Sequence, residues 1–136
     1  MKANQFSRSL RLALTGAVLT CGVTAAFADI KNYEFKLVEP TVKAGPDDRT
    51  IAVKLVDKTT GKLVPDAVIF ATRLDMAPDG MQEMATRLDP LPGTEPGTYK
   101  FKATFGMAGR WQLSLGAKVQ GETGTVENKL VIQADQ

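Results

Sequence analysis

Tyr99-Lys100-Phe101-Lys102-Ala103-Thr104-Phe105 and, beyond Gly106-Met107-Ala108-Gly109, Trp111-Gln112-Leu113-Ser114-Leu115-Gly116-Ala117 are two consecutive runs in which apolar and polar residues alternate. An extended chain points successive side chains to opposite faces, so a period of two marks a strand with one face turned to a core. The same period recurs upstream. Tyr33, Phe35 and Leu37 alternate with Asn32, Glu34 and Lys36 in a first strand that ends at Glu39-Pro40, and Ile51, Val53 and Leu55 face inward from a second. Ala44-Gly45-Pro46-Asp47-Asp48 and Thr59-Thr60-Gly61-Lys62 have turn composition.

Ala67 to Leu74 is a more continuous apolar run suited to a central strand. Asp75 to Met84 breaks the pattern, and a short strand follows at Ala85 to Leu88. A Pro/Gly-rich loop spans Asp89 to Gly97, and a last strand runs from about Thr123 to Ile132. Gly106-Met107-Ala108-Gly109 and Gly121-Glu122-Thr123-Gly124 carry no phosphate-binding lysine and open no helix, so both read as hairpin connections. About seven short strands separated by turn signals, with no helix of convincing length, predict an all-β fold. The leading form is an antiparallel immunoglobulin-like β-sandwich, and a small barrel is the alternative. Tyr99, just after Pro96-Gly97, is a candidate tyrosine corner, and Trp111 a candidate core aromatic.

The first 28 residues read as a secretory signal. Lys2, Arg8 and Arg11 form a positive start, Leu12 to Val23 an apolar core, and Ala26-Phe27-Ala28 a small-x-small cleavage site. That core is short of the ~20 residues that span a bilayer, so the mature chain, residues 29–136, is expected in the periplasm with no membrane span. Cys21 lies inside the signal, and Val18-Leu19-Thr20 before it matches a lipobox poorly. Cleavage after Ala28 therefore leaves no cysteine, and stability must come from packing.

The chain has 17 basic and 15 acidic residues, and loss of the three basic residues of the signal turns a net charge of +2 into −1. A near-neutral domain with scattered charges has no electrostatic footprint for nucleic acid or for an anionic membrane. With no histidine anywhere and no cysteine after cleavage, the usual general base, nucleophile–base pair and transition-metal ligands are missing, which argues against an enzyme. The single serine of the mature chain, Ser114, sits on the outward face of its strand with no recognisable base nearby in sequence, and Asp47-Asp48 is turn chemistry rather than a calcium loop.

What departs from a plain sandwich is methionine. Met76, Met81 and Met84 fall within nine residues of polar, turn-like sequence, and Met107 lies in a separate Gly-rich connection. Thioethers are soft ligands that need no deprotonation and suit Cu(I) above the other biological metals, with Ag(I) equivalent in softness. Asp75, Asp79 and Glu83 could add oxygen ligands or be ordinary loop charges. Flexible methionines also fill gaps under loops and make adaptable partner surfaces. Two functions therefore compete: metal handling through Met76, Met81, Met84 and Met107, and a metal-free protein–protein interaction module of the periplasm.

Phe70-Ala71-Thr72-Arg73-Leu74-Asp75-Met76 with its trailing methionines, Gly97-Thr98-Tyr99-Lys100-Phe101, and Met107-Ala108-Gly109-Arg110-Trp111-Gln112-Leu113 together resemble the YtkA-like domain family, which is related to FixH-type proteins. The likeness covers about Thr50 to Ile132. It implies an immunoglobulin-like sandwich that is exported or membrane-tethered and that accompanies copper or heavy-metal efflux and oxidase-assembly systems, with Met76, Met81, Met84 and Met107 at the positions of the family's methionine-rich loops. Asp79-Gly80 stands where a Met-Pro-Gly-like approach to Met81 is usual, and no histidine is present.

Overall fold

The computed structural model describes residues 30–93 and 95–136. The expected signal segment, 1–28, lies outside the described residues.

The chain folds as an immunoglobulin-like sandwich of two sheets. One holds β1 (Tyr33–Leu37), β3 (Asp48–Asp57), β7 (Thr98–Thr104) and β6 (Asp89–Leu91) in the order β1-β3-β7-β6. The other holds β2 (Thr41–Lys43), β9 (Val126–Asp135), β8 (Gly109–Lys118), β4 (Val68–Met76) and β5 (Met81–Thr86) in the order β2-β9-β8-β4-β5. The alternation that predicts the strands also builds the core. Phe35, Ile51, Val53, Leu55, Phe101 and Ala103 project from the first sheet against Leu74, Trp111, Leu113, Leu115, Val126 and Ile132 of the second. Burying such side chains contributes roughly 1.5–3 kcal/mol each, the main term that holds a cysteine-free domain together.

Trp111 is a core aromatic as expected. Its ring stands edge-on to Phe105 at 5.5 Å between centroids. Tyr99 does not make a local corner. Its hydroxyl donates to the Val64 carbonyl at 2.8 Å and accepts from the Ala67 amide at 3.1 Å, tying β7 to the connection between β3 and β4.

The strand inventory departs from expectation in four places. β2 is additional and pairs in parallel with β9, through Thr41–Gln133, Val42–Ala134 and Lys43–Asp135, so the sandwich is antiparallel except at this edge. β6 lies inside the stretch expected to be loop and pairs with β7. The segment Asp75 to Met84 is not a break: it carries the end of β4, a short 3-10 turn at Ala77–Asp79 and the start of β5. Finally, Gly106–Gly109 is no hairpin. β7 and β8 lie in different sheets, so these residues carry the chain across the sandwich, whereas Gly121–Gly124 does join the paired strands β8 and β9.

β4 is only half the central strand that its apolar run suggests. It pairs with β8 along most of its length, but β5 covers its other side only at Leu74–Met76. A bulge between Ile69 and Ala71 breaks the alternation, and Val68 and Phe70 remain 64% and 57% exposed. A bulge adds one unpaired residue and turns the local face of the strand, which explains why apolar character alone misplaces these side chains.

Candidate functional site

The methionine-bearing segments meet at one end of the sandwich. Asp75 starts the arrangement: its carboxylate is buried, accepts from Arg73 Nε at 2.5 Å, and accepts from the Ala77 amide at 3.0 Å. That carboxylate caps the first turn after β4 in the way an aspartate suits. Pro78 fits the turn, and Gly80, at φ 74°, takes the left-handed conformation that reverses the chain into β5. Met81 then pairs with Met76 across the hairpin, and Asp75 pairs next with Ala85. Gln82, Glu83 and Met84 form the excess on the β5 side of this irregularity, where Arg73 Nη2 donates to the Gln82 carbonyl at 2.9 Å.

Asp79 joins this hairpin to the crossing segment. Its carboxylate accepts from the Arg110 backbone amide and from Arg110 Nε, both at 2.8 Å, and Arg110 Nη2 donates to the Pro78 carbonyl at 2.8 Å. The Arg110 amide, followed by its guanidinium, holds the Asp79 carboxyl below the usual carboxylate range. Gly109 makes the approach possible. A Cβ at this position would stand 2.5 Å from Met76 Cε and 2.7 Å from Asp79 Oδ2, and the residue has φ 146°. On the other flank, Trp111 Nε1 donates to the Met107 carbonyl at 3.1 Å.

The four methionines therefore occupy three settings. Met76 is fully buried, 0% exposed, and belongs to the core rather than to the polar, turn-like surroundings expected of it. Its side chain is the apolar floor under the turn. Met81 is half-buried against that core. Met84 and Met107 are 37% and 41% exposed. Gln82 to Met84 lie in the irregularity between the Met76–Met81 and Asp75–Ala85 pairs, so the pairing of Met81 with Met76 does not by itself fix the position of the Met84 side chain.

The expected oxygen ligands are differently engaged. Asp75 is a turn cap, Asp79 is bound by Arg110, and Glu83 is exposed. Among the described residues no group of three His, Cys, Asp or Glu could hold a metal ion. Ser114 is half-buried on β8, with Gln112 Nε2 at 3.5 Å as its hydrogen-bond donor.

Sequence reasoning missed the Asp79–Arg110 contact and the role of Gly109. The one available signal was the Met107-Ala108-Gly109-Arg110-Trp111 string, whose glycine reads as turn chemistry until the second segment is placed beside it. A separate cleft of about 570 Å³ opens between the free part of β4 and the β6–β7 edge, lined by Ile69, Phe70, Leu91, Pro96, Tyr99 and Phe101 among others. No methionine lines it.

The model of the family described as YtkA-like matches residues 27–116, a span that contains Met76, Met81, Met84 and Met107. Among solved structures, the crystal structure of the Lin-41 filamin domain is similar at 17% identity, over 77% of this chain and 95% of that chain, with a TM-score of 0.45. No match was found among curated proteins.

Proposed function

This chain belongs to the YtkA-like family, and we propose that it is an exported accessory domain of copper and heavy-metal homeostasis. It binds Cu(I) or Ag(I) weakly at its methionine-bearing end, or presents that end to an efflux system in the periplasm. The observation that carries this reading is the meeting of two chain segments, one bearing Met81 and Met84 and the other Met107, through the contact of Asp79 with Arg110.

The donors present fit such an ion. Thioether sulfur selects soft monovalent metal, and a carboxylate or imidazole cluster of the kind that favours divalent ions is missing among the described residues. Met81, Met84 and Met107 would supply the sulfurs. Met76 lies beneath them as packing.

Anaerobic competition for Cu(I) between the purified protein and a chromogenic chelator tests the proposal. Replacement of Met81, Met84 and Met107 together by Leu is expected to abolish competition, while Met76→Leu, a near-isosteric core exchange costing under about 1.5 kcal/mol, leaves it intact. Failure of the unaltered protein to compete would overturn the reading.

A further inference from the structure

We infer that Asp79 and Arg110 are positioning residues for the soft-metal site, a role that rests on the reading just given. The two sulfur-bearing segments leave the sandwich at different points: β5 starts at Met81 at a sheet edge, and Met107 lies in the crossing from one sheet to the other. Among the described residues, the hydrogen bonds that join 77–84 to 106–110 all run between Arg110 and the pair Pro78–Asp79.

The latch is two-sided. A planar guanidinium and a backbone amide grip one carboxylate, which fixes its orientation as well as its distance. Asp79 stands two residues before Met81, and Arg110 three after Met107. The main chain of Met107 is further pinned through the Trp111 indole, itself buried against Phe105. What stays free is the exposed thioether of Met107, able to swing over a short range towards a segment that is already held. Sulfurs on separate segments bind one ion more favourably when those segments are ordered beforehand, and the latch supplies that ordering. Gly109 serves the same end by leaving room for the Asp79 carboxylate against β8.

The test is Cu(I) competition with a chromogenic chelator under anaerobic conditions, on the purified protein and on Asp79→Ala, Arg110→Ala, Met107→Leu and the combination of Asp79→Ala with Met107→Leu. Thermal melts by circular dichroism confirm that each variant is folded at the assay temperature. Asp79→Ala should weaken Cu(I) binding about tenfold, as expected for losing the preorganisation of one ligand-bearing segment. Arg110→Ala should weaken it less, because the backbone amide of residue 110 still reaches Asp79. The combined variant should bind no more weakly than Met107→Leu alone, since the latch acts through Met107.

Losses that add in the combined variant, or an Asp79→Ala protein that binds as tightly as the unaltered one, would overturn the positioning role and leave the metal site standing. Failure of the unaltered protein to compete sinks both. If Asp79→Ala does not fold, Arg110→Lys replaces it: this variant keeps the charge and the backbone amide but not the planar fork, and unchanged affinity there counts against the latch.

Discussion

Gly109→Ala is the substitution that most directly tests how the methionine-bearing end is packed. The added methyl group would meet Met76 Cε at 2.5 Å and Asp79 Oδ2 at 2.7 Å, on a backbone at φ 146°. Met76 is long and flexible, but it is fully buried and can yield only by displacing other core side chains. Asp79 is held by two hydrogen bonds from Arg110. Forcing a methyl into such a space costs about 1–3 kcal/mol, and a non-glycine residue in this backbone region about 1–3 kcal/mol more. A combined loss of about 3 kcal/mol should lower the urea midpoint by about 1.5 M at an m-value near 2 kcal/mol/M.

Gly106→Ala is the internal control. It lies in the same crossing segment with nothing within 4 Å of its would-be Cβ and no positive φ, so its stability should stay within about 0.5 kcal/mol of the unaltered protein. Urea unfolding followed by Trp111 fluorescence reads both variants. Coincident curves for the two would refute the close packing of Met76 and Asp79 against Gly109.

Two further outcomes are expected. Tyr99→Phe removes a donor to the Val64 carbonyl and an acceptor for the Ala67 amide; partly buried groups left unpaired cost about 1–3 kcal/mol, and a stability equal to that of the unaltered protein would show that water replaces both bonds. Asp79, whose carboxyl Arg110 holds below its ordinary value, contributes stability that is present above the unfolded carboxylate pKa of about 3.9 and is lost as pH falls through the lower folded value. The stability difference between the unaltered protein and Asp79→Asn should therefore be flat above about pH 5 and shrink below about pH 4, and a difference that stays constant down to pH 2 would contradict the latch.

Alternation made most of the sandwich legible because its strands are half buried. Where one face meets a core and the other meets water, as in β1, β3, β7 and β8, the period of two is written directly into the residues. β2 and β6 escaped because three-residue edge strands are too short to carry a period, and β6 contains a proline that only an edge tolerates. The bulge in β4 escaped because it depends on what β8 presents opposite it. At the site, methionine type and spacing drew attention to segments that the structure brings together at one end of the molecule. The separation of Met76 into the core was not legible, since residues either side of a turn look alike until the hairpin pairs Met81 with it. The meeting of the two segments depends on a contact across the sheet end between residues 31 apart, Asp79 and Arg110, and no local pattern encodes such a pair.

The parallel pairing of β2 with β9 joins the beginning of the fold to its end: Thr41 waits for Gln133. The four-stranded sheet is complete once Thr104 has been made, but the other sheet is not complete until β9 arrives. A nascent chain stopped at Lys118 would hold β8 with a bare edge where nine residue pairs belong, and β2 would have nothing to lie against. Pairings between distant parts of a chain must overcome loop closure before they yield any stabilisation. Closure of this domain is therefore expected as a late, whole-chain event, and a C-terminal truncation of some ten residues should leave an aggregation-prone half-sandwich rather than a smaller folded domain.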